Sequence, residues 1–227
     1  MFKRIFFAGF LFAFSAASHA AYIPFQGIYL AVGAAENLYS FSEKVQLNPS
    51  VPGAGGYERN ADFNKSNLNP VFTIGYGGLI YDDIFGGLEG SLSANQIQRT
   101  QGNNFSTTNA YIFNNTYNLL AKLGYVFQDI NMAYGLAGAS KTSLERQVSF
   151  GGTYAPLVLS PLHQTQNLYG TLFGIGIERA YDQYLHFAFE YNHIYYGRTN
   201  YNLPGGVGVD KVYLSQDTFI LKAVYFL

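Results

Sequence analysis

Between Tyr169 and Tyr195 the chain alternates bulky apolar residues with small or polar ones on both sides of a short polar turn. In the first run Tyr169, Thr171, Phe173, Ile175 and Ile177 share one face, and Gly170, Leu172, Gly174, Gly176 and Glu178 the other. In the second, Leu185, Phe187, Phe189 and Tyr191 lie opposite His186, Ala188, Glu190 and Asn192. Strict period-two alternation around a turn predicts an antiparallel hairpin. Its bulky face is continuous, while the other face is small and holds two carboxylates. A lipid-facing barrel needs no second layer to cover such a face.

The same alternation recurs along the chain and predicts eight strands. These are Gly27–Ala35, Pro70–Tyr81, Phe85–Ala94, Thr116–Phe127, Met132–Ser140, the two arms of the hairpin, and a last strand Thr218–Leu227. Asp82-Asp83 and Gln128-Asp129 make tight turns, whereas residues 36–68, 95–110, 141–167 and 197–216 are expected as long polar loops. Alternating long and short connections, an even strand count and both termini on one side predict a closed eight-stranded antiparallel up-and-down transmembrane β-barrel. Strands of about 9–11 residues cross the hydrocarbon when tilted, and closure satisfies every edge, as lipid demands. Protease on intact cells is expected to cut at Lys141 or Arg146 in the third loop and to spare Lys122 and Lys222.

Composition narrows this further. Phe and Tyr number 20 each, Gly 25, and only 12% of residues are charged, which suits strands with an apolar exterior. With no Cys, thiolate metal and redox sites are excluded. Residues 1–20 read as a cleaved signal peptide: Lys3 and Arg4, an apolar stretch from Ile5 to Phe14, and the small-residue site Ser18-His19-Ala20. Residues 21–227 are then the barrel domain, with a net charge of −3 once the two leading cations are removed. An acidic chain without basic runs argues against nucleic acid.

The five mid-strand charges, Glu89, Lys122, Glu178, Glu190 and Lys222, all fall on the face that carries Gly, Ser and Ala. That orientation separates the chain from a soluble lipocalin-type barrel, whose alternation has the opposite sense. A Lys facing lipid would cost about 2–4 kcal/mol. These residues form a candidate luminal cluster, either a structural plug or a gated path. Equivalent mid-strand positions suggest that Glu89 pairs with Lys122, and that Lys222 answers the neighbouring Glu178 and Glu190.

The hairpin, the luminal charges and the closing strand resemble the small eight-stranded outer-membrane barrels: the OmpA transmembrane domain, OmpX/Ail and the opacity-type surface antigens. The resemblance implies residence in the bacterial outer membrane and contact with its lipid. The OmpA-type lumen carries a glutamate on strand three, a lysine on four, a glutamate on six and an arginine on seven. Glu89, Lys122 and Glu178 match the first three. Strand seven departs with Glu190, and Lys222 on strand eight offers a cation instead. The chain ends in Leu227, where such barrels usually end in Phe, and Phe226 points inward. The expected role is a surface protein that makes extracellular or envelope contacts through loops 36–68, 95–110, 141–167 and 197–216. A small pore and a lipid-modifying enzyme are the alternatives.

No catalytic, cofactor or metal site is expected. His193 sits on the lipid side near the outer end of strand seven, where lipid A deacylases use a histidine with a nearby serine. Two residues on, this chain has Tyr195. His186 and Glu190 share a face but stand about 13 Å apart along a strand, too far for direct ligation of one ion. The glycines of Gly53–Gly56 and Gly205–Gly208 lack the Lys-Ser/Thr of a phosphate loop. The apolar run Ala155–Leu159 in the third loop either packs on the rim or forms a contact patch.

Overall fold

The computed structural model describes residues 25–47, 58–95, 97–102, 107–150, 162–202 and 208–227. The expected signal peptide, the run Ala155–Leu159 and the glycines Gly53–Gly56 lie outside them. The described residues form ten antiparallel strands: β1 (Gly27–Leu47), β2 (Glu58–Tyr81), β3 (Ile84–Ser93), β4 (Ile97–Gly102), β5 (Thr107–Phe113), β6 (Thr116–Phe127), β7 (Asn131–Phe150), β8 (Leu162–Ala180), β9 (Leu185–Asn202) and β10 (Gly208–Phe226). The ring β1-β2-β3-β6-β7-β8-β9-β10 closes on itself through β1–β10 pairing, and β4–β5 is a hairpin carried on the upper part of β7. This is the expected closed eight-stranded barrel. Each expected strand sits in the ring in the expected order.

Alternation in the sequence becomes an inside and an outside. Ile28, Leu30 and Val32 of β1, Phe72, Ile74 and Tyr76 of β2, Leu119 and Leu123 of β6, and Phe173, Ile175 and Ile177 of β8 are exposed. The alternate residues between them, Tyr29, Ala31, Thr73, Leu120, Lys122, Leu172 and Glu178, are buried in the lumen. A band of large apolar side chains around a closed barrel is what a hydrocarbon layer solvates.

The tight turns gather at the end that holds the start of β1 and the end of β10. Tyr81 pairs with Ile84 across Asp82-Asp83, and Gln128 and Asp129 both take left-handed backbone (φ 52° and 59°) to reverse β6 into β7. Asp182 accepts hydrogen bonds from the backbone N–H groups of Tyr184 and Leu185, both at 2.8 Å. Those bonds hold its carboxyl below the ordinary carboxylate range.

The opposite end corrects the sequence reading. Most of residues 36–68, 95–110, 141–167 and 197–216 is strand rather than loop. The β1–β2 ladder runs unbroken from Gly27↔Gly77 to Gln46↔Glu58, and the β7–β8 ladder reaches Val148↔Leu162. Polar outward residues such as Glu36, Ser40 and Lys44 mask the alternation in a hydropathy reading. The inward Asn37, Tyr39, Phe41 and Glu43 continue it. Lys141 and Arg146, expected as loop cleavage sites, stand on β7, and Arg146 is buried.

Two irregularities shape this upper half. Gly197 (φ +75°) absorbs a bulge in which the β9–β10 register shifts between Leu214 and Ser215. The β2–β3 ladder ends at Val71↔Ser93, followed by one bond from Ala94 N–H to the Pro70 carbonyl (3.1 Å). Pro70 has no N–H to return, and among the described residues no ladder joins β2 to β4 above it.

A ring that closes through its backbone should resist SDS at room temperature and migrate differently after boiling. Equal mobility before and after boiling would contradict the closed ring.

Candidate functional site: the filled lumen

The five luminal charges meet in one layer. The Lys122 ammonium donates to Glu178 Oε2 at 2.7 Å and stands 3.9 Å above the Tyr134 ring centroid. The Lys222 ammonium donates to Glu89 Oε1 (2.7 Å) and Glu190 Oε1 (2.9 Å). Tyr29 O–H donates to Glu89 Oε2 (3.2 Å) and Tyr134 O–H to Glu190 Oε1 (2.8 Å). Glu178 Oε1 lies 2.9 Å from His186 Nδ1. The six side chains other than Tyr134 and Lys122 are at most 3% exposed, so each charge depends on these partners.

Local sequence makes the room. On an adjoining strand Glu89 faces Gly75, Lys122 faces Gly87, Glu190 faces Gly176 and Lys222 faces Gly33. The Tyr29 ring lies directly over Gly75 and the Tyr134 ring over Gly176, where any Cβ would collide with it. Those luminal glycines admit the long side chains and the two tyrosines that bind the carboxylates.

The expected pairing of Glu89 with Lys122 is not the one formed. Gly87, not Glu89, stands opposite Lys122, and Glu89 stands opposite Leu120. That two-residue offset sends Glu89 across the lumen to Lys222. Lys222 answers Glu190 as expected, but Glu178 belongs to Lys122 and His186. His186, set aside as a metal ligand, is a member of this layer; His186 also packs on Phe25 (4.8 Å between ring centroids) and Phe226 (4.6 Å).

Below the charges, Phe25, Phe85, Val126, Met132 and Phe226 fill the turn end of the lumen. Above them lies an uncharged network that ties β1, β2, β3, β10 and the β3–β4 connection together. Asn37 donates to Asn69 and to Asn95 Oδ1 (3.1 Å), and Asn69 donates to Ser93. Gln216 and Thr218 donate to Asn37 Oδ1, both at 2.8 Å, and Asn95 donates to the Tyr39 oxygen (2.7 Å). Higher still is an aromatic layer: Tyr39 stacks on Phe113 (5.0 Å) and Phe41 packs on Tyr111 (4.8 Å). Glu43 accepts from Tyr111 O–H (3.1 Å), and the Arg146 guanidinium lies 5.9 and 5.6 Å from the Tyr111 and Tyr201 rings. Glu43 and Arg146 are luminal charges that the sequence reading missed. Alternation carried past Ala35 and Ser140 would have found them.

Outside, His193 Nδ1 lies 2.8 Å from Asp217 Oδ1, which also accepts from Tyr191 O–H (2.6 Å). Asp217 is an outward charge at the upper edge of the apolar band, where aromatic and amphipathic side chains anchor a barrel. On the upper strands His163 contacts Glu145, which draws that carboxyl below its ordinary range. No cluster of three or more His, Cys, Asp or Glu that could hold a metal occurs among the described residues.

Neither the protein-family models nor the curated proteins contain a match to this chain. Solved structures do match. The outer membrane protein OprG of Pseudomonas aeruginosa superposes with a TM-score of 0.60 at 13% identity, over 89% of this chain and 96% of that one. The chain has the fold of the small outer-membrane β-barrels. The attachment invasion locus protein Ail of Yersinia pestis (TM-score 0.45, 16% identity, 88% and 98% covered) and Neisserial surface protein A (0.44, 14%, 89% and 98%) are further matches. For this barrel, the apolar band and the closed ring place it in the bacterial outer membrane, and in such barrels the short-turn end faces the periplasm.

Proposed function

We propose that this barrel is a sealed surface protein that makes extracellular contacts, and not a pore or an enzyme. The observation that carries the reading is the filled lumen. From Phe25 to Phe41 and Tyr111 the interior is occupied by apolar, paired-charge, amide and aromatic layers in turn. Eight strands leave an interior just wide enough for side chains, and here those side chains bond one another. The extracellular strands, with their own aromatic interior, then serve as a rigid base for the connections 48–57, 103–106, 151–161 and 203–207. Sites carried on packed elements hold their geometry better than sites on free loops.

Two measurements test this together. In planar bilayers the refolded barrel should give no conductance steps, and stepwise conductance would make it a pore. Displayed on a non-adherent host, it should confer attachment to an external surface, and replacing connections 48–57 and 151–161 by Gly-Ser should abolish it. Unchanged attachment after replacement would overturn the contact role, and a change in lipid A mass would instead mark an enzyme.

A further inference from the structure

The outward face of β7 reads Ala133, Gly135, Ala137, Ala139, Lys141. On either side stand mostly taller side chains: Leu119, Leu123 and Tyr125 of β6, and Phe173, Ile175 and Ile177 of β8, with the smaller Ala121 beside Ala137 and Thr171 beside Ala139. The result is a furrow on the lipid side that follows the strand for eight residues, about 27 Å at an antiparallel strand rise. Its periplasmic part is a cavity of about 730 Å³ lined by Ile84, Leu123, Gly135, Ile175, Ile177 and Phe189, among others.

The extracellular end of the furrow is polar. In one row of the ladder Lys141 lies between Tyr117 of β6 and Tyr169 of β8, its ammonium 5.8 Å from the Tyr169 ring. Directly above, the breaks between β3 and β4 and between β5 and β6 leave a notch of about 540 Å³. Lys141 lines it with Asn114, Asn115, Tyr117, Ser143 and Asn167. Asn114 is held in place there by its N–H donating to the Ser143 carbonyl (3.1 Å) and by its side chain donating to Ser143 Oγ (3.2 Å).

An apolar furrow that ends at the membrane surface in a cation flanked by aromatics and amides has the chemistry of an anionic amphiphile. We infer that this furrow and notch bind one acylated, phosphorylated glycolipid of the outer leaflet. An acyl chain lies along Ala133–Ala139, a phosphate meets Lys141, and sugar hydroxyls meet Asn114, Asn115, Ser143 and Asn167. Charge decides the occupant. A neutral chain or a second barrel would fill the furrow but has no use for a lysine at its mouth, whereas an anion at a membrane surface gains from it. The amides are suited to a sugar, which offers both donors and acceptors.

The test uses the full barrel in phosphatidylethanolamine nanodiscs doped with lipid A or with dephosphorylated lipid A, with bound lipid counted by native mass spectrometry. The wild type should retain one lipid A in preference to the dephosphorylated form. Lys141→Ala should weaken retention about fivefold, the factor that one surface lysine contributes, and Lys141→Glu should weaken it further. Ala137→Phe fills the furrow from the lipid side and should also displace the lipid, while Val32→Phe, on the apolar band of β1, should not. Heat-modifiable mobility verifies that each variant is folded. Equal retention of the two lipid forms, or full retention by both Lys141→Glu and Ala137→Phe, would overturn the site.

Discussion

Lys222→Ala should lower the unfolding free energy of the refolded barrel by about 3–5 kcal/mol, read as a shift of the urea midpoint at neutral pH. One ammonium serves two carboxylates, Glu89 and Glu190, and all three groups are buried. Truncating the lysine leaves two anions in a layer closed below by Phe25 and Phe226 and above by the amide network. Their remaining protein donors are the hydroxyls of Tyr29 and Tyr134, with a 3.5 Å contact from Asn192 to Glu190. Lys222→Arg keeps the charge beside Gly33 and should lose clearly less. A wild-type midpoint for Lys222→Ala would mean that the three groups are not energetically coupled. Conductance gained by a stable Lys222→Ala barrel would show the layer to be a gate, against the sealed reading.

The second large effect concerns the other ion pair. Lys122→Met leaves Glu178 with His186 as its partner, and should destabilise by about 3–5 kcal/mol because a buried carboxylate loses its cation. Glu178→Gln keeps an acceptor for His186 but leaves the Lys122 ammonium without a carboxylate, with a loss of similar size. The double variant Lys122→Met/Glu178→Gln should recover most of either loss, since replacing both partners removes the unpaired charge. A four-way urea cycle measures this. Additive losses would place the stabilisation in separate contacts, such as the Lys122–Tyr134 stacking, and not in the pair.

Much of this architecture is written locally. Period-two alternation in stretches such as Tyr169–Glu178 and Thr116–Phe127 determines which side chains face lipid and which face the lumen. A strand has only two faces, and lipid accepts only one kind of residue. Turn residues such as Asp82-Asp83 mark the periplasmic reversals in the same local way, so strand order and inside–outside sense were legible from the sequence. The upper strands were hidden because, outside the hydrocarbon, outward positions become polar. Residues such as Glu36, Ser40 and Lys44 then read as loop, although Tyr39, Phe41 and Glu43 keep the same phase.

What the sequence by itself determined, then, is that Glu89, Lys122, Glu178, Glu190 and Lys222 share an interior. Which of them meet was decided only by the tertiary structure. Pairing across a lumen depends on ladder register and on the curvature of a closed ring, and neither is a property of one strand. A stagger of two residues turns Glu89 from Lys122 to Lys222, and the β8–β9 register, with His186 opposite Ala180, sets His186 diagonally beside Glu178. The furrow along β7 has the same origin. Alanines and glycine on one strand are merely small until the ring sets them between the taller side chains of β6 and β8, with Lys141 at the membrane surface.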